Sequence, residues 1–375
     1  MPWQEVSTVS LRQEFVVLAQ LGNVPFATLC KRFSISRKTG YKWLSRYNSG
    51  GKDALCDQSR RPHLSPLKTD GDIETAVLAL RDRHQAWGGR KIKARLEALG
   101  HENIPSPSTI TAILRRHGRI EPDEAQKHKP WQRFEHETPN RLWQMDFKGH
   151  FPLELGRCHP LTVLDDHSRF ALCLKACGNE RHETVKETMT NVFLRYGLPE
   201  RMTMDNGSPW GSDRDHPYTS FTVWLMHLGI RVSHSRPFHP QTQGKDERFH
   251  RTLNAELLRN NFFRNLDHCQ LHFDHWREVY NQERPHEALG MKTPGTRYAI
   301  SPRVFPETLP AIEYSPADVV RKVQDGGIIH FKGREFRISN AFKGYPIALR
   351  FTTTDGLMEV YFCQQKIADI DLKTM

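Results

Sequence analysis

A chain of 375 residues, 37% of them hydrophobic, has room for two to four domains with cores of their own. A net charge of +11 and a pI near 9.3 favour a polyanionic partner over a neutral or acidic one. No run approaches the ~18 apolar residues of a membrane helix, the opening Met1-Pro2-Trp3-Gln4-Glu5 is unlike a secretory signal, and seven scattered cysteines point to a reducing compartment.

Residues 8–47 read as three short helices. The first runs through Leu11, Phe15, Val16, Leu18 and Ala19. The second, 25–33, turns Phe26, Leu29 and Cys30 inward. A turn at Ser34-Ile35-Ser36 follows, with Ser36 as N-cap, and a third helix over 37–47 buries Tyr41, Trp43 and Leu44. Helix, short turn and basic last helix form a helix-turn-helix pattern over 1–50. Its candidate DNA contacts are Arg37, Lys38, Thr39 and Lys42. Gly40 inside that helix costs ~1 kcal/mol relative to Ala, which a close approach to a backbone would explain.

Residues 51–70 read as a basic linker broken by Pro and Gly, in which Arg60 and Arg61 suit a DNA groove. Residues 1–68 carry eleven Lys/Arg against four Asp/Glu, which suits docking on phosphates. A second three-helix unit spans 71–120, its last helix marked by Ser106 as cap, Pro107 in the first turn and Gly118 at the end. Ile110, Ile113 and Leu114 form the apolar face of that helix; Ser108, Thr109, Thr111 and Arg115 form its candidate DNA face.

Beyond a polar linker at 121–139, residues 140–298 alternate strands and helices, which predicts a mixed α/β sheet. Three acids stand out there: Asp146 on a strand, Asp205 just past another, and Glu247 opening a long helix. Gathered together, they supply the oxygen donors that Mg²⁺ prefers while leaving positions for water and phosphate. Two ions ~3.5–4 Å apart would stabilise both the attacking and the leaving oxygen of a phosphodiester. Lys245, Arg248 and Arg251 crowd cations around the start of Glu247's helix, where cations are unfavourable unless an anion binds. In 299–375 short apolar runs split by Asp325-Gly326-Gly327 and Lys332-Gly333-Arg334 predict hairpins and a small β-barrel.

Longer frames carry a resemblance. Trp143-Gln144-Met145-Asp146, Asp165-Asp166-His167-Ser168-Arg169, Asp205-Asn206-Gly207-Ser208, the run from His239 to Leu253, and Tyr280-Asn281 with Arg284-Pro285-His286 resemble transposases of the DDE superfamily. The likeness is to bacterial insertion-sequence transposases with tandem N-terminal helix-turn-helix domains and a retroviral-integrase-like core on the ribonuclease H-like fold. It implies catalytic and metal-binding roles for Asp146, Asp205 and Glu247. It further implies two Mg²⁺, with Mn²⁺ as substitute, cleavage at terminal inverted repeats, and joining of 3′-hydroxyl ends to target DNA. Two ends must meet, so at least a dimer is expected, in a bacterial cytoplasm and on the nucleoid. The 41 residues between Asp205 and Glu247 exceed the family's common interval, and the extra length falls in Trp210–Tyr218.

Other acids and clusters carry blander readings. Asp246 is turned ~100° from Glu247 on the helix and is expected to be supporting or remote from DNA. Asp165 and Asp166 suit a hairpin turn. His268, His272 and His275 read as a solvated stripe. The rival functions are a catalytically inactive helix-turn-helix regulator and a metal nuclease that does not join strands.

Overall fold

The computed structural model describes residues 7–58, 69–120, 136–211, 218–234 and 244–373. The chain divides into two compact units, 1–68 and 69–375.

In the first unit α1 (Thr8–Leu21), α2 (Phe26–Arg32) and α3 (Arg37–Gly50) surround Phe15, Val16, Leu29, Cys30 and Trp43. Ser36 caps α3 by accepting from the Thr39 amide at 3.1 Å. A Cβ on Gly40 would lie 2.8 Å from Cys30 Sγ and 2.9 Å from Phe15 Cζ, so α3 packs closely only because the side chain is missing. Tyr41 departs from its expected burial: it is 60% exposed and stacks on Phe26 at 4.3 Å. The core also extends past residue 50, because a 3₁₀ turn at Lys52–Leu55 buries Leu55 completely and Arg12 donates to the Leu55 carbonyl at 2.8 Å.

The second unit opens with α4 (Gly71–Arg83), α5 (Gly89–Ala98) and α6 (Pro107–Arg116). Ser106 caps α6 through the Thr109 amide at 3.3 Å, and Ile110, Ile113 and Leu114 point inward as predicted. Next comes a mixed sheet ordered β2-β3-β1-β5-β6, with β4 also paired to β3. Its strands are β1 (Trp143–Phe147), β2 (Phe151–Pro152), β3 (Arg157–Asp165), β4 (Ala171–Cys177), β5 (Arg201–Met204) and β6 (Arg231–His234). β1 pairs antiparallel with β3 and parallel with β5. Apolar side chains of α7 (His182–Tyr196) and α8 (Ser220–His227) share one core with the strands, including Trp143, Met189, Phe193 and Phe221. Those of α9 (Gly244–Glu256) and α10 (Leu266–Glu278) share another, including Leu174, Phe249, Leu253 and Phe273. α10 continues as a π-helical turn over Val279–Glu283.

The C-terminal segment holds two antiparallel sheets. One has four strands, β12-β11-β10-β7, built from β7 (Val319–Lys322), β10 (Pro346–Phe351), β11 (Leu357–Phe362) and β12 (Gln365–Asp371). The other is the hairpin of β8 (Ile328–Phe331) and β9 (Arg334–Arg337), at the predicted Lys332-Gly333 turn. These are antiparallel sheets; the expected barrel closure is not among the strand pairings.

Contacts cross the expected boundaries at 120, 139 and 298. Arg95 on α5 pairs with Glu283 at 2.8 Å, and Gln365 on β12 bonds both the amide and the carbonyl of Val232 at 2.8 Å. No helix of the described residues is long and apolar enough to cross a membrane.

Candidate active site

β1 is the centre of the site. Asp146 lies opposite Thr162 on β3, whose hydroxyl donates to the Asp146 carbonyl at 3.0 Å. With that proton committed, His250 Nε2 on α9 donates to Thr162 Oγ1 at 2.9 Å, which leaves Nδ1 without a proton on a neutral ring, 3.9 Å from Asp146 Oδ2. Burial, aided by the positive charge of Lys148, pulls the His250 imidazole down to about 4, so it stays neutral beside the carboxylate near neutral pH. Asp146 itself is pushed up to about 7, first by burial and then by the negative charge of Asp205, with smaller contributions from Glu180 and Glu247.

Asp205 follows β5, the parallel neighbour of β1. Its Oδ1 accepts from the Gly207 amide at 3.0 Å and from Trp210 Nε1, while its carbonyl accepts from His234 Nδ1 at 2.9 Å. Trp210 is buried and stacks on Phe147 at 5.4 Å. The start of the segment expected to form a polar loop is therefore an indole lid over the second acid; residues 212–217 lie outside the described ones.

α9 carries the third acid on its exposed side, because Phe249 and Leu253 fix the opposite side in the core. Asp246 is 1% exposed. Burial and the charges of Asp146 and Asp166 raise it well above the ordinary carboxyl range, and its Oδ1 has no hydrogen-bond partner among the described residues. It faces the sheet rather than standing apart from the site. Asp165 is a turn residue as expected: it accepts from the Asn140 amide at 2.7 Å, the Ser168 amide at 2.8 Å and the Ser168 hydroxyl at 2.6 Å.

The negative charges of Asp205 and, more weakly, Glu247 both bear on Asp146. Among the described residues, no three His, Cys, Asp or Glu side chains are gathered closely enough to hold an ion as they stand. The donor set still fits a hard divalent cation, because Asp146 is an acid among acids whose nearest imidazole is neutral, and added positive charge would relieve it.

The predicted DNA contacts fare unequally. Arg37, Lys38 and Lys42 on α3, Ser108, Thr109 and Arg115 on α6, and Arg248 and Arg251 on α9 are exposed, and Thr39 is half-buried beside Ser36. Thr111 turns inward: its hydroxyl donates to the Pro107 carbonyl at 2.8 Å, against Gly89 of α5. Lys245 is committed to buried Asp166 instead of lying free for DNA. Arg60, Arg61 and the run 239–243 lie outside the described residues. Sequence reading gave no individual role to Gln144, Thr162, Trp210 and His250; three of them sit in the frames around the acids, whereas Thr162 is brought in only by the pairing of β1 with β3. His268 and His272 touch only each other's Nε2, at 3.3 Å, among the predicted stripe.

Comparisons with known proteins agree in domain order. A helix-turn-helix domain family matches residues 11–63, a homeodomain-like domain 39–114, integrase core domains 136–240 and 228–294, and the IS481 family transposase C-terminal domain 318–375. The chain is 23% identical to an uncharacterised 39.2 kDa protein of insertion element IS476 from Xanthomonas euvesicatoria, over 73% of this chain and 78% of that protein. It is 24% identical to a 31.7 kDa protein of insertion element IS407 from Burkholderia multivorans, over 42% of this chain and 54% of that one. A solved HTLV-2 integrase catalytic core in complex with magnesium overlaps 44% of this chain and 99% of its own, at 18% identity and a TM-score of 0.33. Together the matches give the chain two helix-turn-helix domains, an integrase core domain and an IS481 family transposase C-terminal domain, in that order, with proteins of insertion elements among its relatives.

Proposed function

We propose that this transposase binds the terminal inverted repeats of its element, cleaves at the ends and joins the freed 3′-hydroxyls to target DNA. Asp146, Asp205 and Glu247 are the acids that would hold two Mg²⁺, or Mn²⁺ in its place. When bound, such ions offset negative charge on the attacking and leaving oxygens of the phosphodiester. The observation that carries the reading is Asp146, held near pH 7 by burial and by the charge of Asp205, Glu180 and Glu247. A fold gains nothing from crowding carboxylates on a half-buried strand unless a cation is to neutralise them.

The protein's own part is positioning. The Thr162 hydroxyl of β3 fixes Asp146 on β1 by donating to its carbonyl. Gly207 and Trp210 donate to Asp205 Oδ1 and so orient the carboxylate that would hold an ion. Neutral His250 orients Thr162 without adding a charge that would compete with a metal. Arg248 and Arg251, exposed on α9 beside Glu247, would hold phosphates of the reacting strand. The exposed starts of α3 and α6 would enter major grooves at the repeat, with two copies of the chain needed for two ends.

The test is strand joining with a pre-cut terminal duplex and a plasmid target. Asp146→Asn, Asp205→Asn and Glu247→Gln are each expected to abolish joining while end binding persists. Full joining by Glu247→Gln would remove it from the metal set, and joining intact in all three would leave the non-catalytic regulator reading standing. A wild-type chain that nicks but never joins would favour the simple nuclease.

A further inference from the structure

We propose that Asp166, in the turn after β3, is a positioning residue that sets the strand bearing the first acid against the helix bearing the third. This rests on the proposed function, because it concerns the same metal-binding acids. Asp166 is 2% exposed. Its Oδ1 accepts from Gln144 Nε2 at 2.9 Å and from Lys245 Nζ, and its Oδ2 accepts from the His136 amide at 3.1 Å. Lys245 reaches on to the Asp166 carbonyl at 3.3 Å, Arg169 donates to that same carbonyl, and the Asp166 amide donates to the Leu142 carbonyl at 2.9 Å.

The two side-chain donors on Oδ1 stand in equivalent places. Gln144 precedes Asp146 by two residues on β1, and side chains two apart on a strand share a face. Lys245 precedes Glu247 by two residues in the first turn of α9. One carboxylate oxygen therefore ties together the segments just ahead of two of the three acids. The His250–Thr162 contact acts one turn later on α9, through β3. Buried Asp246, next in sequence to Lys245, feels the charges of both Asp166 and Asp146. A pair this buried is a poor source of net stability, since desolvation offsets most of its attraction. Its geometry is better suited to fixing register, and the partners that orient metal-binding carboxylates tune affinity in the same way.

The experiment is calorimetric titration with Mn²⁺ alone on the full chain, as wild type, Asp166→Asn, Gln144→Met and the exchanged pair Asp166→Lys/Lys245→Asp. Terminal-DNA binding and thermal melting are followed in parallel. Asp166→Asn is expected to weaken Mn²⁺ by ~10–100-fold with end binding unchanged, Gln144→Met to weaken it less, and the exchanged pair to recover part of the loss. Wild-type Mn²⁺ affinity in Asp166→Asn overturns the proposal. If that variant does not fold, Gln144→Met decides: it removes only the 2.9 Å bond, and unchanged Mn²⁺ affinity there overturns the proposal equally. A wild-type chain that binds Mn²⁺ but never joins ends would sink the functional reading, while the calorimetry would still judge the tie.

Discussion

Replacing Asp146 by Asn should make the metal-free protein more stable at alkaline pH while destroying its activity. The folded Asp146 carboxyl keeps its proton to about pH 7, whereas its ordinary value is 3.8. Between those values the folded state binds more protons than the unfolded one. Stability therefore falls as pH rises through that window, and the whole deficit is present above pH 7. A carboxyl displaced by about three pH units at ~1.4 kcal/mol each carries a penalty on the order of 4 kcal/mol once ionised. Asn keeps the shape and removes the charge. Melting of both proteins in chelator at pH 5 and pH 8.5 measures the difference. The variant should melt several degrees higher than wild type at pH 8.5, with a much smaller gap at pH 5. Adding Mn²⁺ at pH 8.5 should raise wild type and leave the variant nearly unmoved. An identical gap at both pH values would refute the reasoning, since the crowded charge would then not be what Asn relieves.

Trp210→Phe keeps a ring against Phe147 but removes the indole donor to Asp205; losing a hydrogen bond to a charged group, ~1.5–3 kcal/mol, should lower joining ~10–100-fold in a pre-cut strand-transfer assay. Gly40→Ala gains ~1 kcal/mol of helix propensity but presses on Cys30, Phe15 and Phe26, an overpacking of ~1–3 kcal/mol; urea melts of the full chain should show net loss in the first unit. Arg37→Ala should weaken end binding and reduce the slope of log affinity against log salt by ~1, which gel-shift titrations across salt would read.

Local signals were legible from the residues alone. The caps at Ser36 and Ser106, the Pro107 helix start and the Lys332-Gly333 hairpin depend on neighbours a few residues away, and each forms where predicted. What failed depends on contacts between distant segments. Tyr41 follows the apolar period of α3, yet its ring meets Phe26 at the surface instead of entering the core. Lys245 looks like a phosphate ligand until a turn 79 residues away supplies Asp166. Asp246 was rightly placed away from Glu247 by helix geometry, but only the sheet beneath α9 reveals that this direction points toward Asp146. The expected linkers gave no sign that α5 would pair with Glu283, or that β12 would bond β6.

The most direct measurement is anomalous diffraction from Mn²⁺ in crystals of the full chain bound to terminal DNA. Manganese peaks shared by Asp146 and Asp205, and by Asp146 and Glu247, against the end phosphate are the predicted result. Manganese bound elsewhere, or Glu247 turned to solvent while the metals sit fully ligated without it, would contradict the account.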